Sequence, residues 1–331
     1  MNIYSAKQMR AIDAQVTASG LYTEADLILR AGKAAATAIV DFAEKMHCKQ
    51  KKRFIVLTGT GKNGADGLVI ANVLAEKYGT ETVHLCCTAH PDKFCAVSQH
   101  IFSIFENTLK KIVSFSLEAE DLIPEGTIIV DAIVGTGILG KMREPAASWI
   151  HLVNQKKGVP VFAIDIPSGL DPDTGIACDS TIQATQTLTF VAPKYGLVSG
   201  EGICKSGKIQ VLDIGIPESL LNGFNAVGNA FSLKDMRNAV IRNAPDTHKW
   251  RRGHVLVIGG SEFYPSAPFL SGEATLRTGA GLVTVALPGK TPVYTDVPKA
   301  LIIRKIGENS TFSISDVPLL SELSQNATSV V

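Results

Sequence analysis

The stretch Phe54–Gly67, with the sequence FIVLTGTGKNGADG, constrains the fold of this chain most. It begins with four apolar residues, a run typical of a buried parallel strand. Four glycines follow within nine residues, and from Leu68 onward apolar residues recur at helical spacing. A glycine-rich loop between a strand and a helix lets backbone approach a ligand closely, and the helix start offers free N–H groups to an anion. The order therefore predicts an α/β fold with a ligand at this loop.

This loop does not identify its ligand when taken alone. The segment GTGKNG fits the G-x-G-x-x-G spacing of dinucleotide sites, but a plain tight turn explains it equally well. It is not a Walker loop, because Asn63 rather than Ser or Thr follows Lys62. The next predicted strand, Thr82–Cys87, is not followed by the acid with which dehydrogenases bind the ribose hydroxyls.

Further strands end in polar or glycine-rich loops in the same way. The predicted strands Thr127–Val134 and Val159–Ile164 run into the loops GTGILG and DIPSG, and two more strands follow near residues 187–191 and 208–214. Helix patterns separate most of these strands, and Ser5 and Thr23 are expected to cap two helices before them. We therefore predict a doubly wound, Rossmann-like parallel sheet, with residues 59–66, 131–141 and 165–168 at one ligand-binding edge.

A second α/β pattern begins after the predicted boundary at residue 222. The strand His254–Ile258, the helix Ala267–Arg277 and the strand Leu282–Leu287 form one β-α-β unit. One helix candidate follows Ser310, and Val330 could begin another strand. A single β-α-β unit buries too little surface to be stable alone. We therefore expect domains at 1–222 and 223–331, the second one incomplete and truncated at its C-terminus.

Composition excludes several classes of function. The chain has 331 residues, is 45% hydrophobic and carries a net charge of +1, so we expect neither nucleic acid nor a membrane surface as a partner. No apolar run reaches membrane-spanning length. The six cysteines form no C-x-x-C pair and the seven histidines no H-E-x-x-H motif, so we expect no zinc and a cytoplasmic protein.

Several acidic and amide side chains at the predicted edge have two interpretations. Asn63 and Asp66 suit a helix cap and a turn as well as a ligand site, and Ser168 suits a turn. Asp131 lies inside an apolar strand, where an unpaired carboxylate would be costly, so it needs a cation or a hydrogen-bond partner. Convergence of three such loops at one edge favours a binding site.

Residues 1 to about 220 resemble the NAD(P)H-hydrate epimerase family, also called the YjeF N-terminal family. The resemblance rests on GTGKNGADGLV, VDAIVGTGILG, AIDIPSGLDPDTG, TFVAPKYGL and VLDIGIP, in that order. From about residue 230 the chain resembles the start of the ADP-dependent NAD(P)H-hydrate dehydratase, which has a ribokinase-like fold. The matching pieces there are RRGHVLVIGGS, YPSAP and LRTGAGLVTVALP. In many bacteria the two are fused into one bifunctional repair enzyme.

The resemblance implies metabolite repair, an isomerase activity and, for the fusion partner, a lyase activity. NADH and NADPH can add water to give R and S hydrates, NADHX and NADPHX. The epimerase interconverts the two forms with a bound potassium ion, and the dehydratase acts on the S form with ADP or ATP. Members of the family are commonly dimers, so a homodimer is the oligomer to test.

The resemblance also implies specific site residues. The catalytic residues it implies are Asp165, placed first, and Asp66, while Lys194 is a weaker candidate as a phosphate contact or acid. The potassium ligands it implies are Asn63, Asp131 and Ser168. The residues it implies for substrate binding are Lys62, Asn63, Gly64, Ala65, Asp66, Gly135, Thr136, Gly137, Ile138, Leu139, Gly140, Lys141, Asp165 and, in the second domain, Ala267.

The chain departs from the family pattern at several positions. Lys62 and Ala65 stand where the family loop has Asn and Gly, so Ala65 is expected to put a methyl group where backbone approaches the ligand. The later G-P-G, H-P-G-E and N-x-G-x-G-D motifs of the dehydratase are absent from this sequence. We expect no dehydratase activity from this chain by itself. An NAD(P)-linked oxidoreductase and a non-catalytic nucleotide-binding protein with a decayed site remain the alternatives.

Overall fold

The computed structural model describes residues 1–47, 51–118, 126–137, 140–231, 233–240 and 244–331. The chain forms two compact units, residues 1–232 and 233–331. This boundary lies later than the predicted residue 222, because the intervening segment returns to the N-terminus. There strand β9 (Gly228–Asn229) pairs antiparallel with strand β1 (Asn2–Ile3), so these residues belong to the first unit.

The first unit contains a seven-stranded, entirely parallel sheet, as predicted. The strand order is β4-β3-β2-β5-β6-β7-β8, so the direction of winding reverses between β2 and β5. In sheets of this kind the ligand binds at the carboxyl edge beside that reversal. The strands are β2 (Arg53–Thr58), β3 (Val83–Cys87), β4 (Val113–Ser114), β5 (Thr127–Ala132), β6 (Val161–Ile164), β7 (Gln186–Phe190) and β8 (Lys208–Leu212).

Apolar residues on both faces of this sheet build two cores. In β2, Phe54 and Val56 enter one core while Ile55 and Leu57 enter the other, which is the alternation of a strand buried on both faces. Helices therefore cover both faces, as a doubly wound fold requires. The helices are α1 (Ala6–Ala18), α2 (Glu24–Lys45), α3 (Lys62–Tyr78), α4 (Ala96–Ile104), α5 (Glu106–Ile112), α6 (Ala146–Gln155), α7 (Gly202–Lys205) and α8 (Glu218–Leu221).

The first two helices begin where the sequence predicts. Ser5 caps α1 and exchanges hydrogen bonds with Gln8, and Thr23 caps α2 and exchanges hydrogen bonds with Asp26. Both are complete capping boxes, which satisfy N–H groups that a helix start leaves free. None of the helices in the described part of the chain is long and apolar enough to cross a membrane.

Helix α3 begins earlier than the glycine pattern suggests. It starts at Lys62, so Gly64 and Gly67 lie inside the helix rather than in the loop before it. A Cβ at Gly64 would lie 2.0 Å from the carbonyl oxygen of Gly59, and one at Gly67 would lie 2.5 Å from the Thr58 side chain. These glycines therefore let α3 pack directly on the end of β2, which is their main structural role.

The sequence pattern between β3 and β5 predicts a helix over Ala96–Asn107 and a strand over Lys111–Phe115, and the structure shortens both. The helix breaks at Phe105 into α4 and α5, and the strand is reduced to β4. Helix α5 buries Leu109 and Ile112, so the start of the predicted strand is helical. When the apolar residues of a short segment suit both a helix and a strand, tertiary packing decides which of the two forms.

The second unit contains a four-stranded parallel sheet with the order β12-β11-β10-β13, one strand beyond those predicted. Strand β12 has mostly exposed residues, including Arg304 and Lys305, so it lacks the alternating pattern by which strands are recognised. Charged residues are typical of such an edge strand. The elements are α9 (Leu233–Ala239), β10 (His254–Ile258), α10 (Ser266–Arg277), β11 (Leu282–Pro288), β12 (Ile302–Ile306), α11 (Val317–Gln325) and β13 (Ser329–Val330).

Candidate active site

A cleft of about 1380 Å³ lies in the first unit, at the carboxyl edge of the seven-stranded sheet. Its walls are residues that follow β2, β5, β6 and β7, together with residues of α1 and α2. Pockets for drug-sized ligands have volumes of about 300–1000 Å³. The cleft is therefore large enough for a dinucleotide, and it lies at the edge where the sequence predicts a ligand.

Most of the predicted binding residues of the first unit meet in this cleft. Their convergence follows from the parallel sheet, because the carboxyl ends of parallel strands share one edge. Lys194, the weaker candidate, also lines the cleft. The predicted residues that line it are Lys62, Asn63, Asp66, Gly135, Thr136, Gly137, Lys141 and Asp165.

Other predicted binding residues lie elsewhere. Gly64 and Ala65 are not among the residues that line the cleft: Gly64 faces Gly59, and Ala65 is fully buried in the apolar core. The methyl group of Ala65 therefore does not enter the site, contrary to expectation. Gly140 does not line the cleft either, and Ala267 lies in the second unit, exposed in the first turn of α10. Ile138 and Leu139 lie outside the described residues.

Asn63 has a buried side-chain amide that is not satisfied. Both its oxygen and its nitrogen are buried, and neither has a hydrogen-bond partner among the residues that the structure describes. The amide lies against the second loop, since a Cβ at Gly135 would be 3.3 Å from its Cγ. A buried polar group without a partner costs free energy. The Asn63 amide therefore indicates a ligand, beyond the turn role that the sequence left open.

Asp66 lies one turn further along α3 and is also buried. Its Oδ1 atom has no hydrogen-bond partner in the described part of the chain. Burial raises the pKa of this carboxyl well above its usual value, and the nearby carboxylates Asp165 and Asp13 raise it further. Burial therefore favours the protonated form of Asp66, which suits a proton donor.

Asp165 and Lys194 form an ion pair at the base of the cleft. Lys194 is 2% exposed and also donates hydrogen bonds to Thr189 Oγ1 (2.9 Å) and to the carbonyl oxygen of Phe190 (3.2 Å). Asp165 has a φ of 65°, a left-handed conformation that is uncommon outside glycine. Such strain persists where the surrounding structure fixes it, often at functional sites. The sheet ends thus hold a carboxylate and an ammonium group together in the cleft.

Asp131 and Ser168 lie beneath the cleft and partner each other. The Ser168 hydroxyl donates to Asp131 Oδ1 (2.6 Å), and the Ser168 N–H donates to Oδ2 (2.8 Å). The N–H of Val134 donates to Ser168 Oγ (2.9 Å), next to the loop that touches Asn63. Burial raises the pKa of Asp131 to about 6 even though these hydrogen bonds lower it. A hydrogen-bond partner thus satisfies Asp131, without excluding a cation.

The oxygen atoms in this region suit a hard cation. An unpaired amide, a buried carboxylate and a hydroxyl are the oxygen donors that such ions prefer. Within the described ranges, no group of three or more His, Cys, Asp or Glu side chains could hold a metal ion. The oxygen donors of Asn63, Asp131 and Ser168 thus suit a hard cation better than a metal that prefers sulfur or imidazole ligands.

Helices α1 and α2 supply cleft residues that the sequence did not suggest. Arg10 and Asp13 on α1 and Glu24 on α2 line the cleft. Arg10 Nη1 donates to the carbonyl oxygen of Thr136 (3.2 Å), and Glu24 forms an ion pair with Lys62. Burial raises the pKa of Asp13 to about 6. The helical spacing of the polar residues on α1 could have indicated a shared face, but such a face usually meets solvent.

Comparisons with known proteins agree with this architecture. A family model described as "YjeF-related protein N-terminus" matches residues 24–196. A bifunctional NAD(P)H-hydrate repair enzyme of Coxiella burnetii is 32% identical, covering 92% of this chain and 60% of that protein. Its counterpart from Escherichia coli K12 is 32% identical, covering 84% of this chain and 52% of that protein. The chain thus spans between half and two thirds of the length of these relatives.

A solved structure supports the fold of the first unit. The crystal structure of yeast ynu0 (YNL200c) aligns with a TM-score of 0.56 and 23% identity, covering 70% of this chain and 98% of that chain. At that identity the likeness shows the fold alone. The family model covers more than half of the residues, including the loops after β2, β5 and β6 that line the cleft. The chain therefore belongs to the family of YjeF-related N-terminal domain proteins.

Proposed function

We propose that the first unit is an isomerase that interconverts the R and S hydrates of NADH and NADPH. The observation that carries this proposal is the meeting of Asp66, whose pKa burial raises, and an Asp165–Lys194 ion pair in one cleft of dinucleotide size. Relatives named as bifunctional NAD(P)H-hydrate repair enzymes support the substrate class. A proton donor and a proton acceptor at one carbon are what such an inversion requires.

The reaction needs only proton transfers and water. The carbon that bears the hydroxyl lies beside the ring nitrogen of the hydrate. An acid protonates the hydroxyl, which leaves as water while the nitrogen lone pair forms a C=N bond. Water then adds to the opposite face and gives one proton to a base. We assign proton donation to Asp66 and proton acceptance to Asp165, and no oxidant or reductant is consumed.

The start of α3 and its neighbours suit the pyrophosphate of the substrate. Gly61, the residue before the helix, makes no side-chain cap, so the first N–H groups of a 17-residue helix remain available to an anion. Lys141 adds positive charge to the cleft wall, whereas the charge of Lys62 is paired with Glu24. The Asn63 amide offers both a donor and an acceptor to a bound ligand.

We propose potassium as the cofactor, held by Asn63, Asp131 and Ser168. The unpaired Asn63 amide and the oxygen-rich donor set support this assignment. A bound cation would supply a fixed positive charge near the phosphate-binding loops. Asp66 and Asp165 would still carry the proton transfers, with Lys194 paired to Asp165.

For the second unit we propose a relation to the dehydratase that consumes S-hydrate with ADP or ATP. Its parallel sheet, and Ala267 at the start of the helix that follows β10, suit a substrate contact. A test of the first unit is run with an independent dehydratase that consumes the S-hydrate.

A coupled assay tests the proposed function. Purified protein in potassium buffer is given mixed R and S NADPHX, with and without an independent dehydratase and ATP. We expect full recovery of NADPH, including the R fraction, to accelerate only when both proteins are present, and Asp165→Ala to abolish the effect. Absence of acceleration with a working dehydratase would favour a binding protein, and oxidation of NADPH by a carbonyl substrate would favour an oxidoreductase.

A further inference from the structure

We propose that Asp13 is the proton-relay residue of this cleft, returning protons between Asp66, Asp165 and solvent after each inversion. The inference rests on the proposed function. Asp13 projects from α1, whereas Asp66 belongs to α3 and Asp165 follows β6, so three separate elements bring carboxyl groups to one cleft. Nothing in the family resemblance or the loop motifs assigns a role to α1.

The carboxylate of Asp13 is unpaired within the described part of the chain. Among the described residues its carboxylate makes neither a hydrogen bond nor an ion pair, whereas Asp165 is held by Lys194 and Thr189. Its side chain is also exposed to the cleft, while Asp66 is buried. Asp13 is therefore an unpaired carboxyl group of this cleft that can exchange protons with water directly.

The charged groups around Asp13 link it to both proposed catalytic acids. Asp165, Lys194, Lys62 and Glu24 all act on its carboxyl, and Asp13 in turn raises the pKa of Asp66. On α1 the cation Arg10 lies one turn before Asp13, and its guanidinium donates to the carbonyl oxygen of Thr136. Water reaches Asp13 from the cleft, but the protein packed around its carboxyl desolvates it and raises its pKa to about 6, so it can gain and lose a proton near neutral pH.

The inversion creates the need for such a relay. When Asp66 gives a proton to the leaving hydroxyl and Asp165 takes one from the incoming water, the enzyme ends each turnover with the two acids in exchanged protonation states. The next molecule of the same hydrate requires the original states. One proton must therefore leave Asp165 and one must reach Asp66, and the balance closes with no net proton released. Asp13, accessible and coupled to both, provides that route.

Chemical rescue separates a relay from a structural role. We expect Asp13→Asn to lower kcat for the conversion of purified R-NADPHX by at least about tenfold, with KM little changed. Imidazole should restore much of the lost rate in proportion to its concentration, because a small diffusible acid can replace the relay. Asp13→Glu, which keeps an ionisable group, should retain most of the rate and show no imidazole effect. Asp41→Asn, an exposed site on α2 outside the cleft, is the matched control.

Each outcome decides the proposal. If the Asp13→Asn protein has the same kcat as the wild type, the relay role of Asp13 is wrong, while the proposed epimerase activity is unaffected. A lost rate that imidazole does not restore in a folded variant would make Asp13 a structural or binding residue. If Asp13→Asn does not fold, a large loss of kcat in Asp13→Glu without rescue would also overturn the relay. An inactive wild type would remove the proposed function itself, and the relay with it.

Discussion

Lys194 donates to Asp165 across the ends of two adjacent strands, β6 and β7, from a position that solvent hardly reaches. The pair closes the base of the cleft at a residue with a strained backbone. Two buried opposite charges stabilise a fold only while both remain, because either one alone is an uncompensated charge. The same ion pair therefore contributes to the stability of the first unit and holds Asp165, the proposed proton acceptor.

We expect Lys194→Met to destabilise the protein by about 3 kcal/mol, since it leaves the Asp165 carboxylate without its cation. The double variant Asp165→Asn/Lys194→Met should be more stable than Lys194→Met alone, because it removes the unpaired charge as well. Urea unfolding of the three proteins, wild type included, measures both differences. Equal free energies of unfolding for the single and double variants would show that the ion pair is not what holds this end of the sheet.

The buried acid Asp66 should make stability depend on pH in an unusual direction. Its pKa is raised in the folded protein, whereas an unfolded Asp ionises near pH 3.9. As pH rises above about 4, only the unfolded state loses the proton, so Asp66 lowers the free energy of unfolding by about 1.4 kcal/mol per pH unit until it ionises in the folded state.

Asp66→Asn removes this dependence. The variant should be more stable than the wild type at pH 7, and its advantage should shrink as the pH approaches 4, while the proposed isomerase activity is lost. Urea unfolding across that pH range measures the effect, with the exposed Asp41→Asn as the control that should show no pH-dependent difference. An advantage that stays constant with pH would mean that Asp66 is ionised in the fold.

The sheet and its loops could be predicted because their signals are local. The apolar run before Gly59 predicts a buried strand, and Ser5 and Thr23 predict two helix starts, each from only a few residues. The convergence of the loops follows from parallel topology alone. Strand β12 could not be predicted, because an exposed edge strand needs no apolar alternation.

The cleft shows the limit of sequence reasoning more clearly. Asn63, Asp66 and Asp165 follow strands and were predicted to meet, whereas Asp13 lies on a polar helix face that resembles any solvent-facing surface. Ala65 was expected in the cleft, but the helix starts earlier than predicted and turns that side chain into the core. One-dimensional patterns give the period of an element, while its rotation about its own axis depends on what it packs against.

Potassium should stabilise the first unit if it occupies the oxygen donors near Asn63. A ligand that binds only the folded state at one hundred times its Kd adds about 2.7 kcal/mol to the free energy of unfolding. We expect the melting temperature to rise with potassium chloride beyond any rise in choline chloride of equal ionic strength. Asn63→Ala and Ser168→Ala should remove that excess, and an excess that persists in both variants would place the ion elsewhere.

Two glycines of the β2–α3 junction provide a matched pair for testing how closely α3 must approach the sheet. A Cβ at Gly64 would lie 2.0 Å from the backbone oxygen of Gly59, while one at Gly61 would meet nothing within 4 Å. Gly64→Ala should therefore force α3 away from β2 and destabilise the protein by about 1–3 kcal/mol, as overpacking does. Gly61→Ala should change the free energy of unfolding by less than about 0.5 kcal/mol. Thermal and urea unfolding compare the two, and equal effects would mean that the helix start yields freely, so that the Asn63 amide is not held in place by packing.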